Sequence, residues 1–367
     1  MNMPKSRELH AKIPSPKAIF IGFLPVTVKV LNSYVITNEN QGIGKRRKRV
    51  FCMKKEIFDF YSYLRISGSQ AAARRREAEE AGIHVPAFLQ ADISARCNLS
   101  CPGCENGCVR TKHQEELLEL EQWDTLFREA EQLGVRVIFL TGGEPLMERE
   151  ILERASRYQN CWFLVFTKGT LLNEKYNQFF SDHRNLVPML CLDACSNINL
   201  VKGGKSSYLY ENLMYAMDAL SRRDIVYGTS VTLTSENRHR VLTRGFLDGL
   251  NRRKCNGVLY LIKDEAEENT ADTENLFWDG SLLLNEEEKE EVKRTLKELW
   301  EDYHDMVLYT LSRSGRFFGR PFEKSEVYRI SADGNVFNCP AGLEKLGNLK
   351  EKNLRSILQK QTSPVDQ

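Results

Sequence analysis

The 367-residue sequence lacks an uninterrupted apolar run fit to cross a membrane. The most apolar stretch, Ala18 to Ile36, is broken by Pro25, Lys29, Asn32 and Ser33, so no transmembrane span is expected. A charge excess is also missing: 52 Lys and Arg stand against 50 Asp and Glu, for a formal net charge of +2. That balance removes the general electrostatic reason to expect nucleic acid as a partner. Ten cysteines in a chain of this length are too few for a disulfide scaffold. Met1 to Pro16 is polar, with no small-residue cleavage site after an apolar core, so no cleavable signal peptide is expected. No low-complexity segment is present. What remains is a globular composition, 41% hydrophobic and 28% charged, long enough for one large domain with smaller appendages. A cytoplasmic location is the expectation.

Residues 1–86 read as a helical leader. Ile57, Phe58, Phe60, Tyr61 and Leu64 recur at helical spacing, and Ala71 to Ala81 is rich in helix-forming Ala, Arg and Glu. The run Lys45-Arg46-Arg47-Lys48-Arg49 reads as a solvated basic patch, or more sharply as a contact for an anionic membrane or an acidic partner. From residue 87 the pattern becomes alternating strands and helices. Strands are expected at Ala87–Ser94, Val135–Leu140, Trp162–Phe166, Val187–Leu192, Ile225–Leu233 and Gly257–Ile262. Helices are expected at Leu117–Leu133, Ile151–Tyr158, Glu174–Phe180, Tyr208–Arg222 and Arg238–Leu250. Apolar strands without strict alternation imply a parallel sheet covered by helices. Right-handed crossovers curl such a sheet toward a barrel, with functional residues at the C-terminal strand ends. The fold class is therefore α/β, a partial (βα)6 TIM-like barrel over 87–265, with the leader over 1–86 and a C-terminal extension over 266–367. In the extension, Asn285–Tyr303 is a capped amphipathic helix, and Val327–Ile330, Ala332-Asp333-Gly334-Asn335 and Val336-Phe337 read as a hairpin.

The chemistry concentrates after the first strand, in Cys97-Asn98-Leu99-Ser100-Cys101-Pro102-Gly103-Cys104. This C-x3-C-x2-C spacing suits soft metal ligation. Two readings fit it: a three-thiolate iron–sulfur cubane with one iron left open, or, with Cys108 as a fourth ligand, a structural zinc or closed cluster. Gly142-Gly143-Glu144-Pro145 follows at the end of the second strand. Two glycines let a backbone approach a ligand closely, and nearby carbonyls and a carboxylate can accept from an ammonium group.

Together these segments resemble the radical S-adenosylmethionine (SAM) superfamily. The resemblance covers roughly residues 88–265 and part of the tail. It implies a [4Fe–4S] cluster on Cys97, Cys101 and Cys104, with SAM on the open iron and its amino group held by Gly142, Gly143 and Glu144. Thr167, in Phe166-Thr167-Lys168-Gly169-Thr170, resembles the family's T-N-G-T, with Lys168 in place of Asn. Asp193, in Leu192-Asp193-Ala194, resembles its L-D-G, with Ala194 in place of Gly. Ser230 and Thr232 lie where the family contacts the SAM ribose and carboxylate. The implied activity is reductive cleavage of SAM to a 5′-deoxyadenosyl radical that abstracts hydrogen from a peptide or small-molecule substrate. An electron donor such as flavodoxin or ferredoxin is implied with it. Tyr328 to Pro340 and Leu346-Gly347-Asn348-Leu349 resemble a SPASM or twitch extension that lacks its upstream cysteine and any cysteine after Cys339, so no second cluster is expected.

A non-catalytic iron–sulfur, zinc or electron-transfer protein using Cys97, Cys101, Cys104 and Cys108 is the alternative from another class. The two readings separate experimentally. Cys101→Ala is expected to abolish cluster binding and SAM cleavage, whereas Cys108→Ala keeps its iron; iron loss in the latter restores the four-thiolate site. Iron analysis of the wild type is expected to give about four atoms per chain, and about eight would bring Cys339 into a second cluster.

Overall fold

The computed structural model describes residues 26–31, 34–41, 45–52, 70–86, 88–99, 117–192, 205–262, 283–303, 306–312, 317–318, 327–338 and 344–359. The chain divides into two compact units, Met1–Phe58 and Asp59–Gln367. In the first unit β1 (Val26–Leu31), β2 (Tyr34–Gln41) and β3 (Lys45–Cys52) form an antiparallel sheet in that order. The helical leader expected over 1–86 is thus corrected: strands occupy 26–52, and the helix found is at 70–80. The reason is local. Val26, Thr27, Val28, Val30, Val35, Ile36 and Thr37 are β-branched and fit a pleated surface better than a helix. The basic run lies on β3, an edge strand of this sheet. The apolar positions Ile57 to Leu64 lie outside the described residues.

The second unit is built on an eleven-stranded sheet. Its centre matches the expected strands: β4 (Phe88–Ser94), β5 (Val137–Gly142), β6 (Trp162–Thr167), β7 (Leu186–Cys191), β8 (Gly228–Leu233) and β9 (Gly257–Ile262), each parallel to the next. Two further parallel strands extend it. β10 (Val307–Ser312) lies beside β9, after the helix Glu286–Asp302, and β12 (Val327–Ile330) lies beside β4. The short β11 (Phe317–Phe318) closes one edge. At the other, β12 forms a hairpin with β13 (Asn335–Phe337), and β14 (Lys345–Asn348) pairs with β13. The strands described within the extension over 266–367 are therefore part of the same sheet as the core. The expected helix Arg238–Leu250 is split, into Arg238–Val241 and Arg244–Arg252, because Thr243 is extended and its hydroxyl caps the Phe246 N–H at 3.2 Å. Among the described residues no helix is long and apolar enough to cross a membrane.

Strand side chains alternate between two faces. One face, with Leu89, Ala91, Ile138, Leu140, Phe163 and Val165, merges with the apolar stripes of the helices, including Trp123, Phe127, Ala130, Leu213, Leu247 and Leu296. The other carries an apolar layer of strand residues: Phe88, Val137, Phe139, Trp162, Val187, Met189, Leu259, Leu311 and Val327. Among the described residues no helix side chain joins this layer, hence a helix-free face, and the face is curled. The Arg136 guanidinium at the foot of β5 interacts electrostatically with Tyr309 on β10. In a flat sheet those five strand steps would separate them by roughly 24 Å.

The tail is fastened through hydrogen bonds as well as strands. Glu129 on the helix Leu120–Leu133 accepts the Leu354 N–H at 2.8 Å, at the start of the helix Leu354–Leu358. Leu118 N–H donates to Ala332 at 2.8 Å in the hairpin turn. Phe163 is fully buried and packs edge-on against Phe127 at 5.2 Å. Phe163→Ala is expected to cost about 3–5 kcal/mol, measured as a lower urea midpoint with an unchanged slope.

Candidate active site

The C-terminal ends of β4 and β5 run on in contact past their ladder. Gly143 N–H donates to Ser94 O at 2.7 Å, and Glu144 N–H donates to Arg96 O at 2.7 Å. This approach is close enough to exclude side chains. A Cβ on Gly142, which has φ +118°, would lie 2.4 Å from Ser94 O; one on Gly143 would lie 2.0 Å from Arg96 O and 3.2 Å from the Cys97 Cβ. Cys97 is thereby seated, exposed, beside the glycine pair. The junction is clamped from outside by Arg96 and Glu148. Arg96 Nη2 is 2.9 Å from Glu148 Oε2, Arg96 Nε is 3.1 Å from Oε1, and Ser94 Oγ donates to Oε1 at 2.9 Å. Cys101, Cys104 and Cys108 lie outside the described residues.

Glu144 is buried, with 2% of its surface exposed. Its Oε1 accepts from Leu146 N–H at 3.0 Å and its Oε2 from Lys168 N–H at 3.2 Å, with a further hydrogen bond from the Thr167 hydroxyl. Thr167 Oγ1 in turn accepts from Gly169 N–H at 3.0 Å. Burial raises the carboxyl pKa, and these hydrogen bonds with the Lys168 charge oppose the rise. Glu144 and Thr167 are thus joined to each other, and they fasten the β5 end to the β6 end. Asp193 lies outside the described residues.

Ser230 is fully buried on β8, opposite Cys191 of β7. It follows the alternation that puts Met189 in the helix-free layer. Its Oγ makes no hydrogen bond to any described residue. A buried hydroxyl left so costs roughly 1–3 kcal/mol and calls for a ligand or water. Thr232, two residues on, is also buried.

One group at this end was not singled out from the sequence. Asp92, on β4, is 5% exposed. Its Oδ1 accepts from Thr141 Oγ1 at 2.6 Å and Gln90 Nε2 at 3.2 Å, while its Oδ2 receives Arg329 Nε at 2.8 Å and Nη2 at 2.7 Å. A charge inside an otherwise apolar strand, at Asp92 and again in Val327-Tyr328-Arg329-Ile330, was the signal available.

Residues 92–243 match the model of the radical SAM superfamily. That stretch of the chain is similar to the superfamily's domain. The PqqA peptide cyclase of Rhizobium meliloti is 35% identical over 91 residues, 24% of this chain and 24% of that protein. The GTP 3′,8-cyclase of Pelotomaculum thermopropionicum is 31% identical over 140 residues, 36% of this chain and 43% of that protein. The chain therefore spans less than half the length of these curated relatives. Among solved structures, Streptococcus suis SuiB bound to S-adenosylmethionine superposes with a TM-score of 0.56 at 13% identity, covering 80% of this chain and 68% of that one. anSMEcpe with bound AdoMet and a Cp18Cys peptide gives 0.52 at 15%, covering 74% and 80%. These superpositions establish the shared α/β fold.

Two outcomes follow for Glu144. Glu144→Ala orphans buried N–H donors and is expected to cost about 2–4 kcal/mol in urea unfolding. Because the folded-state pKa is raised, stability from this carboxyl is lost as pH rises through that pKa. Glu144→Gln removes the proton site, so its stability should fall less than the wild type's between acid and neutral pH.

Proposed function

We propose that this chain is a radical SAM enzyme holding one [4Fe–4S] cluster on Cys97, Cys101 and Cys104, with SAM beside it at the strand ends. When bound, that pair supplies one-electron reductive cleavage of SAM to methionine and a 5′-deoxyadenosyl radical, which takes a hydrogen atom from the substrate. The observation that carries this reading is the contact of Gly143 with Arg96 and Cys97, which seats the first cysteine of the loop against the glycine turn. Three thiolates would leave one iron of a cubane without a protein ligand, and the glycine turn next to Cys97 would offer backbone carbonyls to the ammonium group of SAM. Glu144 and Thr167 act by fixing that turn. Ser230 Oγ and Thr232, with Asp193, are the polar groups assigned to the rest of SAM; the unsatisfied Ser230 hydroxyl supports this assignment.

The substrate is proposed to be a peptide. SuiB has been solved with its precursor peptide SuiA, and a relative in part of the chain is a peptide cyclase. The hairpin after Val327 is read as a reduced SPASM-like extension without a cluster of its own. A reducing compartment such as the cytoplasm, and a flavodoxin or ferredoxin as electron donor, complete the reading.

The test is anaerobic reconstitution with iron and sulfide, reduction with dithionite and incubation with SAM. 5′-Deoxyadenosine and methionine are expected in the product mixture, and neither from Cys101→Ala. An intact cluster that yields no 5′-deoxyadenosine overturns the proposal in favour of a non-catalytic metal protein.

A further inference from the structure

Asp92 and Arg329 stand apart from their surroundings. Positions that share the helix-free face on β4 to β10 and β12 are apolar or neutral, apart from this pair, among the described residues. An ion pair in such a setting is weak evidence for stability. Desolvation offsets much of the attraction, and well-packed neutral replacements are often no worse. The pair therefore invites a chemical explanation.

Its geometry supplies one. Arg329 spends one edge of its guanidinium on a single oxygen: Nε and Nη2 both reach Asp92 Oδ2, at 2.8 and 2.7 Å. Asp92 is saturated, since Thr141 and Gln90 fill Oδ1. The other guanidinium edge, Nη1 with the second N–H of Nη2, makes no hydrogen bond to a described residue. That edge is the planar fork that takes a carboxylate through two parallel bonds. The side chain is 25% exposed, so the fork is reachable, whereas the Asp92 side chain is 8% exposed and is not. Position matters as well. Thr141 immediately precedes the glycine turn, and Asp92 lies five residues before Cys97. The guanidinium is held at the same strand ends as the junction that seats Cys97.

We propose that Arg329, oriented by Asp92, is a substrate-anchoring residue that binds a carboxylate, such as an aspartate or glutamate side chain of a peptide substrate. Asp92 is the positioning residue: it fixes the plane of the guanidinium and turns its free fork outward. The proposal rests on the reading of the strand ends as the reacting site.

Binding tests it without turnover. Iron-reconstituted full-length chain with SAM, and no reductant, is titrated by calorimetry with two capped pentapeptides that differ only in a central Glu or Gln. The wild type is expected to bind the Glu peptide at least ~10-fold more tightly, a difference of about 1.4 kcal/mol. The double variant Asp92→Asn, Arg329→Met keeps a neutral, similarly sized pair, so a purely structural role predicts unchanged discrimination whatever the shift in melting temperature. The anchoring role predicts that discrimination disappears while the melting temperature holds. Arg329→Lys keeps the charge but not the fork. It is expected to retain less than half of the wild-type free-energy preference, and it provides the reading if the double variant does not fold. Equal binding of both peptides by the wild type, binding of neither, or full preference in Arg329→Lys overturns the proposal. No electron transfer is involved, so these outcomes are independent of whether the chain cleaves SAM.

Discussion

Two backbone hydrogen bonds organise the strand ends: Gly143 N–H to Ser94 O and Glu144 N–H to Arg96 O. They prolong the β4–β5 pairing beyond the ladder into segments that would otherwise be free loops. Such an approach tolerates no Cβ on either glycine, so the sequence must place Gly-Gly where the second strand ends. Everything nearby is arranged around this seam. Arg96 and Glu148 clamp it from outside, and Glu144 closes it from within by accepting N–H groups of its own turn and of the next strand end. A cysteine that follows such a seam inherits its position from backbone geometry rather than from side-chain packing.

The β5–β6 connection obeys the same economy. A buried carboxylate is expensive unless donors surround it, and Glu144 is surrounded by the Leu146 and Lys168 N–H groups and the Thr167 hydroxyl. The residues that look like ligand contacts in the sequence thus divide into two kinds. Glu144 and Thr167 are satisfied by the protein, while the Ser230 hydroxyl is buried on the helix-free face with no described partner.

Much of this was legible in the sequence. The six core strands and the capped helix Glu286–Asp302 stand where apolar runs and the Asn285 cap place them, because burial on both faces writes itself as continuous hydrophobic stretches. The glycine turn was legible for a similar reason: a backbone constraint admits few residue types. β1 and β2 were missed because their short β-branched stretches are broken by Lys and Asn, and β3 because its basic run reads as a solvated patch. β10 was missed because the preceding helix was assigned to the extension, whereas it is the crossover from β9 to a seventh parallel strand. The charges of Asp92 and Arg329 stand out in their apolar strands, but their pairing is not legible in the sequence. Its partners are 237 positions apart, and they meet only because β12 pairs with β4 from the far end of the chain.

That pairing has a temporal side. β4 is the first strand of its sheet to be made, yet its neighbour β12 comes some 237 positions later. At ribosomal rates of about 5–20 residues per second, roughly 10–50 s pass between the two. Through that interval one flank of β4 offers unpaired N–H and C=O groups to any strand nearby. A nascent chain of this architecture is thus born with an open edge, and its vulnerability to misassembly is set by the order in which the strands are synthesised.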